Sequence, residues 1–225
     1  MLWTLALATD ITTTILIGRK HTQLAPNISY LPERMGLFTL IVLGETIFGL
    51  ISSLTGHKWD IESTISMGAG LSIAFSLWWL YFDKIDGSVI RVFHGEGKIG
   101  IYLTWLYAHF PLVIGLCATS AGIRHLVSAD QSTILPSLDQ WLICGAVALC
   151  LFSIGIIHLC VSYAREERKL MTQLSAYRFV AGFAIILIPM LGFAMLPFVL
   201  ILIVSMICIL QIILDLKHHP HHRVF

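Results

Sequence analysis

Charge is what this sequence has least of. Asp, Glu, Lys and Arg together make up 12% of its 225 residues, about half the share of an ordinary soluble domain. Fourteen Lys and Arg against thirteen Asp and Glu leave a net charge of +1. That provides no basic face for nucleic acid. Catalytic spacings are missing as well. There is no G-x-S-x-G, no H-E-x-x-H and no phosphate-binding loop, so serine hydrolase, zinc protease and P-loop chemistry lose their usual carriers. HGEG (His94 to Gly97) reads as a short loop. No enzyme activity and no cofactor are expected. The five cysteines form no C-x-x-C pair and are odd in number. They are read as small buried hydrophobes rather than as a disulfide or zinc framework. In the tail, Pro220 interrupts His218, His219, His221 and His222, so no metal site is expected.

Apolar residues fill the chain instead, at 57% of the total with a mean hydropathy of +0.85. They come in runs long enough to cross a bilayer. Met1 to Ile17 is the first. It has no positive n-region and no small-x-small cleavage site, and Asp10 sits in its middle, so it reads as a spanning helix rather than a signal peptide. It starts without a flank, as in a chain with preceding sequence missing. The second run is about Glu33 to Leu54, the third Thr64 to Phe82, the fourth Gly100 to Ile123 and the fifth Gln140 to Tyr163. Between them lie loops, among them residues 84–99 and 124–139. Residues 164–178 are strongly charged. The last run, Phe179 to Leu214, would reach about 54 Å as one helix, too long for a single crossing. Pro189, Gly192 and Pro197 divide it into a sixth and a seventh helix. The seventh contains no lysine, so a retinal-type Schiff base has no donor.

The expectation is therefore an all-α polytopic transmembrane bundle of about seven helices. Residues 1–217 form one transmembrane domain and 218–225 a short His-rich tail. Alternating the loops between two sides leaves Lys58 and Arg124 on one side and the other twelve of the fourteen Lys and Arg on the opposite one. By the positive-inside bias, the N-terminus is out and the C-terminus in.

The ionisable residues inside the runs are the candidate site. Asp10, Glu45 and His109 each lie about 13–17 Å from a helix start, near mid-membrane. Charge at that depth is costly and by default functional. A carboxylate and an imidazole there could pass a proton or hold a small cation, helped by the hydroxyls of Ser72 and Ser76 on the third helix. The competing reading is neutral groups hydrogen-bonded for helix packing. Glu33, Arg34 and Asp83 would frame a cytoplasmic mouth, or simply anchor helix ends at the interface.

The stretch PERMGLFTLIVLGETI (Pro32 to Ile47) resembles the signature of the bacterial low temperature requirement A (LtrA) family. There a Glu-Arg pair, a Leu-Phe pair and a Leu-Gly-Glu occur in this order; here they are Glu33-Arg34, Leu37-Phe38 and Leu43-Gly44-Glu45. LWWLYFD (Leu77 to Asp83) and YAHFPLVIG (Tyr107 to Gly115) resemble two further family blocks. Tyr30 stands where the family often has His, and members are usually longer, with further helices ahead of this region. The resemblance implies a membrane protein tied to growth at low temperature. Two functions follow as expectations. One is a proton or small-cation channel or transporter with Glu45 as its midplane carboxylate. The other is a non-transporting membrane sensor or scaffold in low-temperature or stress adaptation. The expected surroundings are the lipid bilayer, the transported proton or cation, and copies of the chain itself as a homo-oligomer, with no nucleic acid.

Overall fold

The computed structural model describes residues 30–53, 61–83, 99–163 and 168–218, together with Leu5, Ala6, Thr9, Thr12 and Thr13 ahead of them. Six helices are long and apolar enough to span a membrane: α1 (Leu31–Ser53), α2 (Ile61–Phe82), α3 (Ile99–Ser128), α4 (Ser137–Ser162), α5 (Arg168–Met190) and α6 (Pro197–Lys217). The described residues contain no strand. Asp10 and most of the first apolar run lie outside the described residues, so the structure carries six of the seven expected spans. It shows a multi-pass membrane protein.

α4 is the central helix. Its apolar residues are interleaved with Gly145, Ala146, Ala148, Cys150, Ser153 and Gly155. Small residues let backbones come close, which matters where lipid supplies no hydrophobic drive between helices. On the α3 side, a Cβ built on Gly115 would meet the Sγ of Cys150 at 2.7 Å and the carbonyl oxygen of Ala146 at 3.1 Å. Seven residues on, Gly122 lies as close to Ile143. On the α5 side the packing is reciprocal: the ring of Phe179 covers Gly155, and the ring of Phe152 covers Gly182. The two rings stack with centroids 5.9 Å apart.

α3, α4, α5 and Cys117 differ from the sequence expectation. α3 continues past Ile123 to Ser128 and runs through Pro111, because a proline inside a membrane helix is tolerated when neighbouring groups satisfy the freed carbonyl. α4 starts at Ser137, three residues earlier than expected. α5 begins at Arg168 rather than Phe179. Met171, Leu174, Ser175, Arg178, Ala181 and Ile185 are buried, a three-to-four residue repeat that carries the helix into the charged stretch. Cys117 is exposed, unlike the other four cysteines, because it lies on the outer stripe of α3. The division of the last apolar run holds: α5 stops at Met190, Gly192 takes φ +67°, and Pro197 opens α6.

Two loops close one end of the bundle, at 129–136 and 191–196. The backbone N–H of Leu135 donates to the carbonyl of Met195 at 2.9 Å, joining them. Ser66, near the start of α2, donates to the side-chain oxygen of Gln131 at 3.1 Å, and the Gln131 amide donates to the carbonyls of Leu126 and Ala129. At the opposite end α2, α4 and α6 finish and α1, α3 and α5 begin.

Gly115 and Gly145 make a paired test of the α3–α4 packing. Gly115→Ala pushes a methyl against backbone and costs about 1–3 kcal/mol. Gly145, with nothing within 4 Å of a built Cβ, accepts alanine with a gain of up to about 1 kcal/mol from helix propensity. Thermal unfolding in detergent is expected to lower the midpoint for the first and leave or raise it for the second.

Candidate functional site

Arg178 is among the largest fully buried side chains in the protein. It stands 10 residues into α5, about 15 Å from the helix start. Its Cβ lies against α4 at Gly155. Side chains on a helix lean toward its N-terminus, so the guanidinium is carried toward the end where α6 and α2 finish. There the Nη2 of Arg178 donates to the Oδ2 of Asp215 at 2.7 Å, with the two side chains 1% and 4% exposed. Removing two charges from water costs several kcal/mol each, recovered only through close pairing. The Nε and Nη1 of Arg178 make no hydrogen bond with any described residue, so the guanidinium can still receive a second acceptor. Asp83, one residue past the end of α2 and exposed, adds its charge to the field at Arg178.

The α2–α6 seam leads to this group. Ser72, Ser76, Trp79 and Asp83 follow one another at spacings of four, three and four along one face of α2. Ser72 and Ser76, with Leu71, Phe75, Ile209, Ile212 and Ile213, line a groove of about 500 Å³. Each hydroxyl donates backward along its own helix, to the carbonyls of Gly68 at 2.9 Å and Ser72 at 2.7 Å. With their hydrogens so placed, the serine oxygens present lone pairs as acceptors. The groove on the other flank of α2, of about 520 Å³ between α1 and α2, is lined by Leu40, Leu43, Gly44, Ile47, Leu71, Ala74, Phe75 and Trp78 and has no such acceptor.

His109 belongs to a second polar group, on a different face of α2. Its Nδ1 is 2.8 Å from the carbonyl oxygen of Trp105, and its Nε2 is 3.0 Å from the hydroxyl of Tyr81. A carbonyl only accepts, so Nδ1 carries the hydrogen, and in the neutral ring Nε2 accepts from the Tyr81 O–H. The buried indole of Trp105 packs edge-on to the imidazole at 4.5 Å between centroids. The end of α2 therefore bears on both groups: Tyr81 bonds His109, and Asp83, just past the helix, adds its charge to the field of Arg178.

The expected midplane trio is not assembled among the described residues. Glu45 points outward from α1. The Ser120 hydroxyl lies 3.5 Å from the Glu45 backbone carbonyl, which fixes α1 against α3 at that level. His109 is eleven residues earlier on α3, about 16 Å along the axis. Glu45 and His109 therefore differ in depth, because α3 starts well before α1 at this end. Asp10 lies outside the described residues. Glu33 and Arg34 are exposed at the start of α1. Ser72 and Ser76 do share the α2–α6 groove, and Asp83 is exposed just past the end of α2. His158 is fully buried. Of the tail histidines only His218 is described, and its ring meets the carbonyl of Leu214 at 2.9 Å as a helix-end contact. Sequence reading missed Arg178 and Asp215: the first falls in the charged stretch 164–178 and the second just past the last apolar run. Two signals were available: Arg178 continues the apolar stripe of Met171, Leu174, Ala181 and Ile185, and Asp215 falls four residues after Gln211 in an otherwise apolar helix.

The sequence model of one family, described as bacterial low temperature requirement A protein (LtrA), matches residues 1–213. No curated protein and no solved structure matches the chain.

Removing one partner of a buried pair strands the other. Arg178→Met and Asp215→Leu are each expected to cost about 3–5 kcal/mol, and the double variant less than either single one. Thermal unfolding of the three variants in detergent checks this; additive losses would mean that the two side chains act independently.

Proposed function

The chain belongs to the bacterial low temperature requirement A (LtrA) family, and from that premise and the geometry above we propose that it moves protons or a small cation across the bacterial inner membrane. The observation that carries this reading is the buried Arg178–Asp215 pair beside Asp83, at the end of a seam lined by serine oxygens. Acceptor oxygens facing a groove suit a cation or a water that carries a proton. With all three groups ionised, Arg178, Asp215 and Asp83 sum to −1, which attracts a positive species. Arg178 in turn acts as a barrier, since a fixed positive charge repels cations at short range. A cation or proton that reaches Asp83 or Asp215 competes with Arg178 for carboxylate charge. Occupancy is thereby coupled to the contact that joins α5 to α6. In this reading the working carboxylates are Asp83 and Asp215, and Glu45, on the outside of the bundle, has no part in the path.

A second reading is a non-transporting membrane sensor or scaffold in low-temperature or stress adaptation. It is favoured by the His109 group, where both ring nitrogens are satisfied in place, as in a contact made for packing.

A proteoliposome assay with an internal pH dye separates the two, using imposed proton and then potassium gradients. The wild type is expected to dissipate one of them. Asp83→Asn is expected to cut the rate by at least about tenfold, roughly 1.4 kcal/mol of barrier, at unchanged helicity and reconstitution. Glu45→Gln is expected to retain conduction. A silent wild type under both gradients, or an Asp83→Asn variant that conducts as well as wild type, favours the sensor or scaffold.

A further inference from the structure

The outer surface of α1 and α3 carries a pair of charges that the proposed conduction path does not use. Glu45 is exposed on α1, 14 residues from Leu31 and about 21 Å along a helix about 34 Å long. Around it Ile41 and Phe48, 71% and 66% exposed, mark a surface at home in lipid. A carboxylate facing hydrocarbon at that depth is strongly disfavoured, so the surface that bears it is covered by something polar. Arg124 is also exposed, on α3. Its stem crosses α1 at Gly49, where a built Cβ would lie 3.0 Å from Cδ and 3.4 Å from Cγ. Glycine at 49 thus lets the arginine lie along the edge of α1, one turn beyond Glu45. Among the described residues, neither side chain has a hydrogen-bond or ion-pair partner.

We infer that a second copy of this chain packs on the α1–α3 face, with Glu45 of each copy paired to Arg124 of the other. The face is self-complementary in charge. A two-fold axis along the membrane normal brings each carboxylate opposite the partner's guanidinium twice over, and the length of an arginine side chain spans the one-turn difference in depth. Isologous contacts of this kind require one surface to present both halves of the pair, as this one does. A lipid tail offers Glu45 no donor, whereas a second copy supplies a charge-assisted one. The same face presents Cys117, the one exposed cysteine among five, so the native chain carries its own cross-linking probe.

The test uses the full chain reconstituted at low protein-to-lipid ratio and treated with a short thiol-specific bifunctional cross-linker. Wild type is expected to yield mostly covalent dimer, and Cys117→Ser none. Glu45→Arg and Arg124→Glu each place like charges across the axis and are expected to reduce dimer by about tenfold or more. Mixing the two single variants is expected to restore it, because in the mixed dimer the introduced arginine faces the introduced glutamate and the native pair survives at the other contact. Pairing within one chain would not be rescued by mixing. Helicity and elution volume show that the single variants remain folded, and the mixed sample is its own control. Wild type that stays uncross-linked, or single variants that dimerise as well as wild type, overturns the proposal and leaves the face to lipid or to another segment of the chain. Failure of the mixture to recover overturns the Glu45–Arg124 pairing.

Discussion

The Arg178–Asp215 contact sets the terms for the rest of the bundle. A guanidinium with 1% side-chain exposure must be held by elements that cannot separate without stranding it. α5 supplies the cation, α6 the anion, and α4 offers Gly155 as the place where the arginine stem crosses. Leaving either charge unpaired costs more than most single packing contacts contribute. The α5–α6 pairing is therefore specified by charge at one end, and by the tight turn through Gly192 at the other. The stacked Phe152 and Phe179 rings, each over a glycine of the neighbouring helix, hold α4 and α5 close enough for the arginine to stay dry.

The final turn of α2 connects the chemistry. Tyr81 and Asp83 are two residues apart, about 200° around the helix, so they look toward different neighbours. One meets His109 on α3 and the other lies in the field of Arg178 on α5. The two polar groups are separate in space but share a backbone segment, so movement of that turn alters both. The aromatic residues that precede it, Phe75, Trp78 and Trp79, are in mutual ring contact and give the turn a broad footing on the side away from the core.

How much of this was legible in the sequence follows from what each residue depends on. Spans were readable because membrane crossing is dictated by a local property, the length of an apolar run. The break near Gly192 was readable because proline and glycine act on their own backbone. The serine stripe of Ser72, Ser76 and Asp83 was readable from helical spacing alone. Glu45 was legible as an unusual charge but not as an outward-facing one, since rotation of a helix about its axis is fixed by its neighbours. Depth was misjudged for a related reason. Each helix was measured from its own start, and the starts of α1 and α3 are offset, as the Ser120–Glu45 contact shows. Arg178 was hidden because hydropathy treats arginine as a span breaker, whereas a partner 37 residues later in sequence makes it admissible. The LtrA blocks covered α1, α2 and the first half of α3, and so contained neither half of that ion pair.

The stitching of the two loops at the far end has a mechanical consequence. Leu135 bonded to Met195 and Ser66 bonded to Gln131 tie the start of α2, the α3–α4 connection and the α5–α6 connection into one knot. At the opposite end α5 and α6 are joined by the Arg178–Asp215 pair. Any hinge motion in a structure fastened in this way pivots at the knot, with α2 and α6 as arms whose separation grows in proportion to distance from it. An angular change of about 5° over arms roughly 30 Å long opens the tips by about 2–3 Å, close to the width of a water molecule. The Arg178–Asp215 pair lies toward the tips.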